Sequence, residues 1–195
     1  VRGVAGFGSG TSHLEGGEVD IQNPVAFWQQ IAAHTFAARR ASSPWSFQTA
    51  VAGLVGDHDI VGSTVHYDPD GPTVWSVVIV TDDDRIVKAH ASYDETDFDN
   101  NLEATLGAQS KVPPQWVDSW SRRLRDSVRL DVWGSTIRLN SFNQPIPDQL
   151  DYGRVVLHFN DGGSVVLVSE QRPAYEDDCD FTDALLQHVR QVTGL

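Results

Sequence analysis

The chain has 195 residues, with 27 acidic against 14 basic side chains and a formal net charge of −13. That balance counts against sequence-independent nucleic-acid binding, which draws its affinity from Lys and Arg neutralising phosphates. It also counts against an anionic membrane surface. With 40% hydrophobic and 21% charged residues the composition is that of a globular domain rather than a disordered acidic segment.

A chain of this size buries about 70% of its unfolded surface, enough for one substantial core. No apolar run approaches the ~20 residues of a membrane span. The one cysteine, Cys179, allows no intrachain disulfide and no Cys-based zinc set. Residues 1–18, rich in Gly with scattered Ser and Thr, read as a flexible lead, and 19–195 as a single α+β domain. The opening lacks the charged-then-apolar pattern of a signal peptide, so cytoplasmic is the default expectation.

In chain order, residues 24–40 predict a helix. Asn23 is its cap, Pro24 its first residue, and Val25, Trp28, Ile31, Ala32 and Phe36 form its apolar face. Four strands are expected next, over 47–55, 60–67, 74–81 and 86–93. Each is rich in β-branched and aromatic residues. The gaps Gly56-Asp57, Asp68 to Pro72 and Asp82 to Asp84 are short and turn-forming, which implies antiparallel neighbours.

Two helices are then expected. One is capped by Thr96, carries Phe98, Leu102 and Leu106, and ends at Gly107. The other follows Pro113-Pro114, with Trp116, Val117, Trp120 and Leu124 on one face and Arg122, Arg123 and Arg125 near its end. Val128 to Leu139 reads as an uneven strand around Gly134, and Asn143 to Asp148 as a flexible loop. Gly153 to Phe159 and Ser164 to Ser169 flank the hairpin signal Asn160-Asp161-Gly162-Gly163. A closing helix, capped by Asp180 or Thr182, turns Leu185, Leu186, Val189 and Val192 inward, with Gly194 past its end. The order α-ββββ-αα-βββ-α predicts an α+β fold. Its mostly antiparallel sheet has about seven strands, packed by an N-terminal helix, a central helix pair and a C-terminal helix.

Several clusters invite a chemical reading. Asp94, Asp97 and Asp99 lie in an acidic run, and Asp97, Asp99 and Asn101 match the opening ligands of a calcium loop. Leu102 then replaces its sharp-turn Gly and Ala108 its bidentate Glu. Acids meeting the positive end of a helix account for the run better. The same holds for Glu176, Asp177, Asp178, Asp180 and Asp183, and Cys179 within that run lacks the positive surroundings a reactive thiolate needs.

His58 beside Asp59, with His66 and Asp68 along the next strand, offers metal ligands or an acid–base pair. The competing account is a β turn whose Asp bonds its own backbone. His34, His90 and His158 read as packed or half-exposed residues. The Gly-rich opening lacks the phosphate-loop Lys, and no nucleophile elbow occurs. Trp116 and Trp120, one helical turn apart, would form either a buried face or a stacking platform.

These readings favour a non-enzymatic interaction or binding module for a basic protein partner, with no cofactor, no nucleic acid and no membrane. The alternatives are a small metal-assisted hydrolase using His58, Asp59 and clustered carboxylates, or a small-ligand fold with an apolar pocket.

Overall fold

Asn23 and Pro24 open the first helix, α1 (Pro24–His34), as their chemistry dictates. The Asn23 side chain accepts the Ala26 N–H at 3.3 Å, and Pro24 takes the first turn, where its missing donor costs nothing. The structure is a computed structural model and describes residues 23–37, 41–106, 112–151, 153–169 and 176–195. The expected lead at 1–18 lies outside those residues.

α1 ends six residues sooner than its periodicity suggested, since Ala37 N donates to Ala41 O at 3.0 Å and Phe36 bridges Ser42 in place of helical bonds. Its buried face is also rotated. Phe27, Ile31 and His34 face the core, whereas Val25 and Phe36 are exposed.

The expected strand at 47–55 is instead a helix, α2 (Trp45–Val55). Phe47, Val51 and Val55 recur at i, i+4 and i+8 with Gln48 and Ala52 beside them, and this buried stripe has the helical period rather than alternation. Gly56, at φ 73°, stops it. Pro44 precedes the helix and supplies no side-chain cap.

Three strands follow as expected: β1 (Ile60–Asp68), β2 (Thr73–Thr81) and β3 (Arg85–Tyr93), an antiparallel meander. A short helix, α3 (Asn100–Leu106), leads into β4 (Gln115–Arg123). The second central helix of the sequence reading is therefore a strand. Trp and Val suit a pleated surface, and β4 pairs along its length with β3, so tertiary pairing overrides the apparent helical spacing. The first sheet has the order β1-β2-β3-β4.

After a 3-10 turn (Leu124–Asp126) come β5 (Ser127–Trp133), β6 (Thr136–Leu139), β7 (Pro145–Asp151), β8 (Arg154–Phe159) and β9 (Ser164–Val168). Gly134, at φ 67°, splits the single strand expected over 128–139. Part of the expected loop at 143–148 belongs to β7, which pairs with β6. A second sheet has the order β5-β8-β9, with the expected hairpin closing β8 onto β9. The chain ends in α4 (Glu176–Thr193), which begins ahead of Asp180, while Gly194 at φ 70° terminates it as expected. The fold is α+β, with four-stranded and three-stranded antiparallel sheets and helices at both ends. No helix among the described residues is long and apolar enough to cross a membrane.

The first sheet separates two apolar cores. One face gives Trp75, Val77, Ile79, Val87, Ala89 and Ala91 to α1 and α2. The other gives Val78, Val80 and Ile86 to the second sheet and to Leu185, Leu186 and Val189 of α4.

The start of α2 is stabilised from a distance. The Glu103 carboxylate of α3 accepts the Trp45 N–H, and the Ser46 N–H at 3.3 Å, filling orphan donors that Pro44 cannot serve. Asp99 performs the same task locally for α3, accepting the Leu102 N–H at 2.8 Å. Glu103→Ala should therefore lower stability by about 1–2 kcal/mol, the range of a lost N-cap, read as the shift of a urea midpoint. Glu103→Gln, which keeps one acceptor oxygen, should recover part of it.

Candidate functional site

α1 and α2 lie side by side on one face of the first sheet, and their packing brings two indoles together. Trp28 and Trp45 meet with ring centroids 4.7 Å apart at 33°, and Phe27 supports Trp28 edge-on at 5.5 Å. Trp45 remains 51% exposed and Phe36 37%. Beside them opens a cleft of about 400 Å³ lined by Trp28, Ala33, Phe36, Ser42, Trp45 and Asn100.

Polar groups beneath this cleft are satisfied. Gln48 Nε2 donates to Ser43 O, Ser43 Oγ to Thr35 Oγ1, and Thr35 Oγ1 to Ile31 O, each at 2.8 Å. These bonds pair the polar side chains under the exposed rings with one another. Acids stand at the rim: Asp99 adjoins Asn100, and Glu103 holds the Trp45 backbone.

Trp116 and Trp120 are not a joint platform. The β3–β4 register pairs Ala91 with Trp116 and His90 with Asp118, so Val117 bulges out and resets the alternation. Trp116 falls on the helix side, stacked on Phe47 at 5.9 Å and 16°. Trp120 falls on the opposite face, edge-on to Phe159 at 5.7 Å, with the Arg122 guanidinium 4.8 Å over its ring. Each supports a different core.

His58, in the link from α2 to β1, meets the hairpin between β2 and β3. Its Nδ1 lies 3.3 Å from Asp82 Oδ1, and its Nε2 lies 3.4 Å from Asp83 Oδ2 and 3.6 Å from Asp57 Oδ1. Burial by itself would raise the Asp83 carboxyl, but bonds from Thr81 and Arg85, with the Arg85 charge, hold it below the usual carboxylate range. Asp59 takes part through its backbone, its carbonyl accepting the Asp82 N–H at 3.0 Å. His66 is six strand residues beyond Ile60, roughly 20 Å along β1, and shares no site with His58.

His66 belongs to a polar row across the open part of the first sheet: His66, Ser76, His90 and Asp118 in register. Burial, then the Lys88 charge, lowers the His90 pKa. Burial would raise Asp118, yet the Lys88 ammonium at 2.6 Å brings its carboxyl below the usual range.

The remaining acids have local duties or stand apart. Asp99 caps α3, Asp97 accepts the Tyr67 hydroxyl at a positive-φ position, and Asp94 is exposed in the loop before them. Side chains 176–179, Cys179 included, lie outside the described residues. Among the described residues, the group able to offer three metal ligands within 4.8 Å of one another is His58, Asp82 and Asp83.

Sequence reasoning missed Phe36 and Trp45 as surface residues, while Trp28, expected on the apolar face, is partly buried and packed against the core. The available signal was a Trp directly after Ser42-Ser43-Pro44, at a helix start where a side chain reaches outward. No protein-family model matches the chain, and no curated protein or solved structure matches it either.

Proposed function

We propose that this chain is a non-enzymatic protein-binding module whose α1–α2 cleft receives the apolar anchors of a basic partner segment. The observation that carries the reading is the half-exposed Trp28–Trp45 pair beside a cleft of about 400 Å³ with a satisfied, rigid floor. Tryptophan in such a setting is the residue type that most often dominates interface energetics. The net charge of −13, with Asp99 and Glu103 at the rim, supports a cationic partner by steering its encounter.

The test is a fluorescence titration of the full chain with an amphipathic peptide of alternating Leu and Lys turns. Trp45→Ala should weaken binding about tenfold or more, the loss of a hot-spot side chain. Trp133→Ala, equally exposed but on the second sheet, should bind as the parent does. Added salt should weaken the complex by slowing association. Equal affinities for the parent and Trp45→Ala would refute the assignment.

A further inference from the structure

We infer that His58, Asp82 and Asp83 form a binding site for one divalent cation of the zinc type, separate from the aromatic cleft. The hairpin between β2 and β3 runs Thr81-Asp82-Asp83-Asp84-Arg85, and Asp84, at φ 61°, makes its turn. The Asp82 N–H bond to Asp59 O fastens this hairpin to the link that carries His58. The imidazole and two carboxylates are thereby held together by backbone structure.

Spacing supports the assignment. Two ligands on a tetrahedral ion with bonds of about 2.0–2.1 Å stand about 3.3 Å apart. One His58 nitrogen and one oxygen from each of Asp82 and Asp83 lie within 4.8 Å of one another, close enough for an ion to draw them to that separation, although at rest the two acids flank different ring nitrogens, Asp82 at Nδ1 and Asp83 at Nε2. The carboxylate of Asp83 is held by its own neighbours: the Thr81 hydroxyl donates to Oδ1 at 2.7 Å and Arg85 Nε to Oδ2 at 2.6 Å. Partners of this kind fix a ligating carboxylate and are part of a metal site's construction.

Donor chemistry selects the ion. One imidazole nitrogen with carboxylate oxygens suits Zn²⁺ and its first-row neighbours, whereas Mg²⁺ and Ca²⁺ prefer all-oxygen shells. His58 and Asp82 are 35% and 53% exposed, which leaves room for water in the remaining coordination positions.

The experiment is a calorimetric titration of the purified full chain with Zn²⁺, and with Mg²⁺ for comparison. The expected result is saturable one-to-one Zn²⁺ binding that Mg²⁺ does not reproduce. His58→Ala and, separately, Asp82→Asn should each weaken it about tenfold or more, while His66→Ala leaves it unchanged. Asp82 is itself 53% exposed, so its variant keeps the fold, and circular dichroism verifies this for all three. Zn²⁺ binding that survives both His58→Ala and Asp82→Asn, or the absence of saturable binding, would overturn the inference.

Discussion

Gly62→Ala should unseat the C-terminal helix at a cost of about 3 kcal/mol. An added Cβ at this β1 position would lie 2.3 Å from Leu185 N, 2.7 Å from Leu185 Cα and 2.8 Å from Phe181 O. All three are backbone atoms, so no side chain can rotate away and α4 itself has to move. That movement opens the core formed by Val78 and Val80 with Leu185, Leu186 and Val189. Overpacking typically costs about 1–3 kcal/mol, and rigid backbone neighbours place this case at the upper end. For a chain of this size that corresponds to a fall of about 10 °C in Tm. A thermal melt within about 2 °C of the parent would mean that α4 does not rest on Gly62.

Acidification from pH 6.5 to 4 should remove about 3 kcal/mol through one side chain. His34 is buried, its Nδ1 2.8 Å from Ser63 Oγ and its ring 4.1 Å from Phe181, and burial pushes its pKa down to about 4. Above pH 6.5 the imidazole is neutral in both folded and unfolded chains and confers no pH dependence. Between 6.5 and 4 the unfolded chain takes a proton that the folded chain refuses, so stability falls as pH falls. Below 4 both states are protonated and the loss is complete. A shift of about 2.5 units corresponds to roughly 3 kcal/mol. His34→Gln should flatten the dependence of the unfolding free energy on pH in this window, by nearly one proton's worth of slope. Identical slopes for the parent and His34→Gln would place the acid sensitivity elsewhere.

What could be read from sequence depended on whether local chemistry or tertiary pairing decided each element. β1, β2 and β3 are β-branched runs bounded by Asp, Pro and Gly turns, and Gly162 at φ 85° makes the hairpin that Asn160-Asp161-Gly162-Gly163 announces. The inward face of α4 was equally clear, since Leu185, Leu186, Val189 and Val192 keep one helical stripe. Residues 45–55 deceived because Phe47, Val51 and Val55 suit either element. Residues 115–123 deceived because two tryptophans four apart look like helical neighbours, whereas in the strand the bulge at Val117 sends them to opposite faces.

The candidate sites were harder still. The cleft arises from how α1 lies beside α2, and Trp28 and Trp45 are joined only by that packing. His58 was recognised as chemically interesting, but its neighbours were sought along the chain at Asp59 and His66. The structure supplies Asp82 and Asp83 from a hairpin more than twenty residues away, held there by the bond between Asp82 and Asp59.

The central claim is that the α1–α2 cleft binds a basic, apolar-anchored segment. Its most direct test is amide chemical-shift mapping of the isotope-labelled chain during titration with the Leu/Lys peptide. The largest shifts are expected at Trp28, Phe36, Trp45 and Asn100, with β5, β8 and β9 unmoved. Shifts centred on the second sheet, or none at saturating peptide, would contradict it.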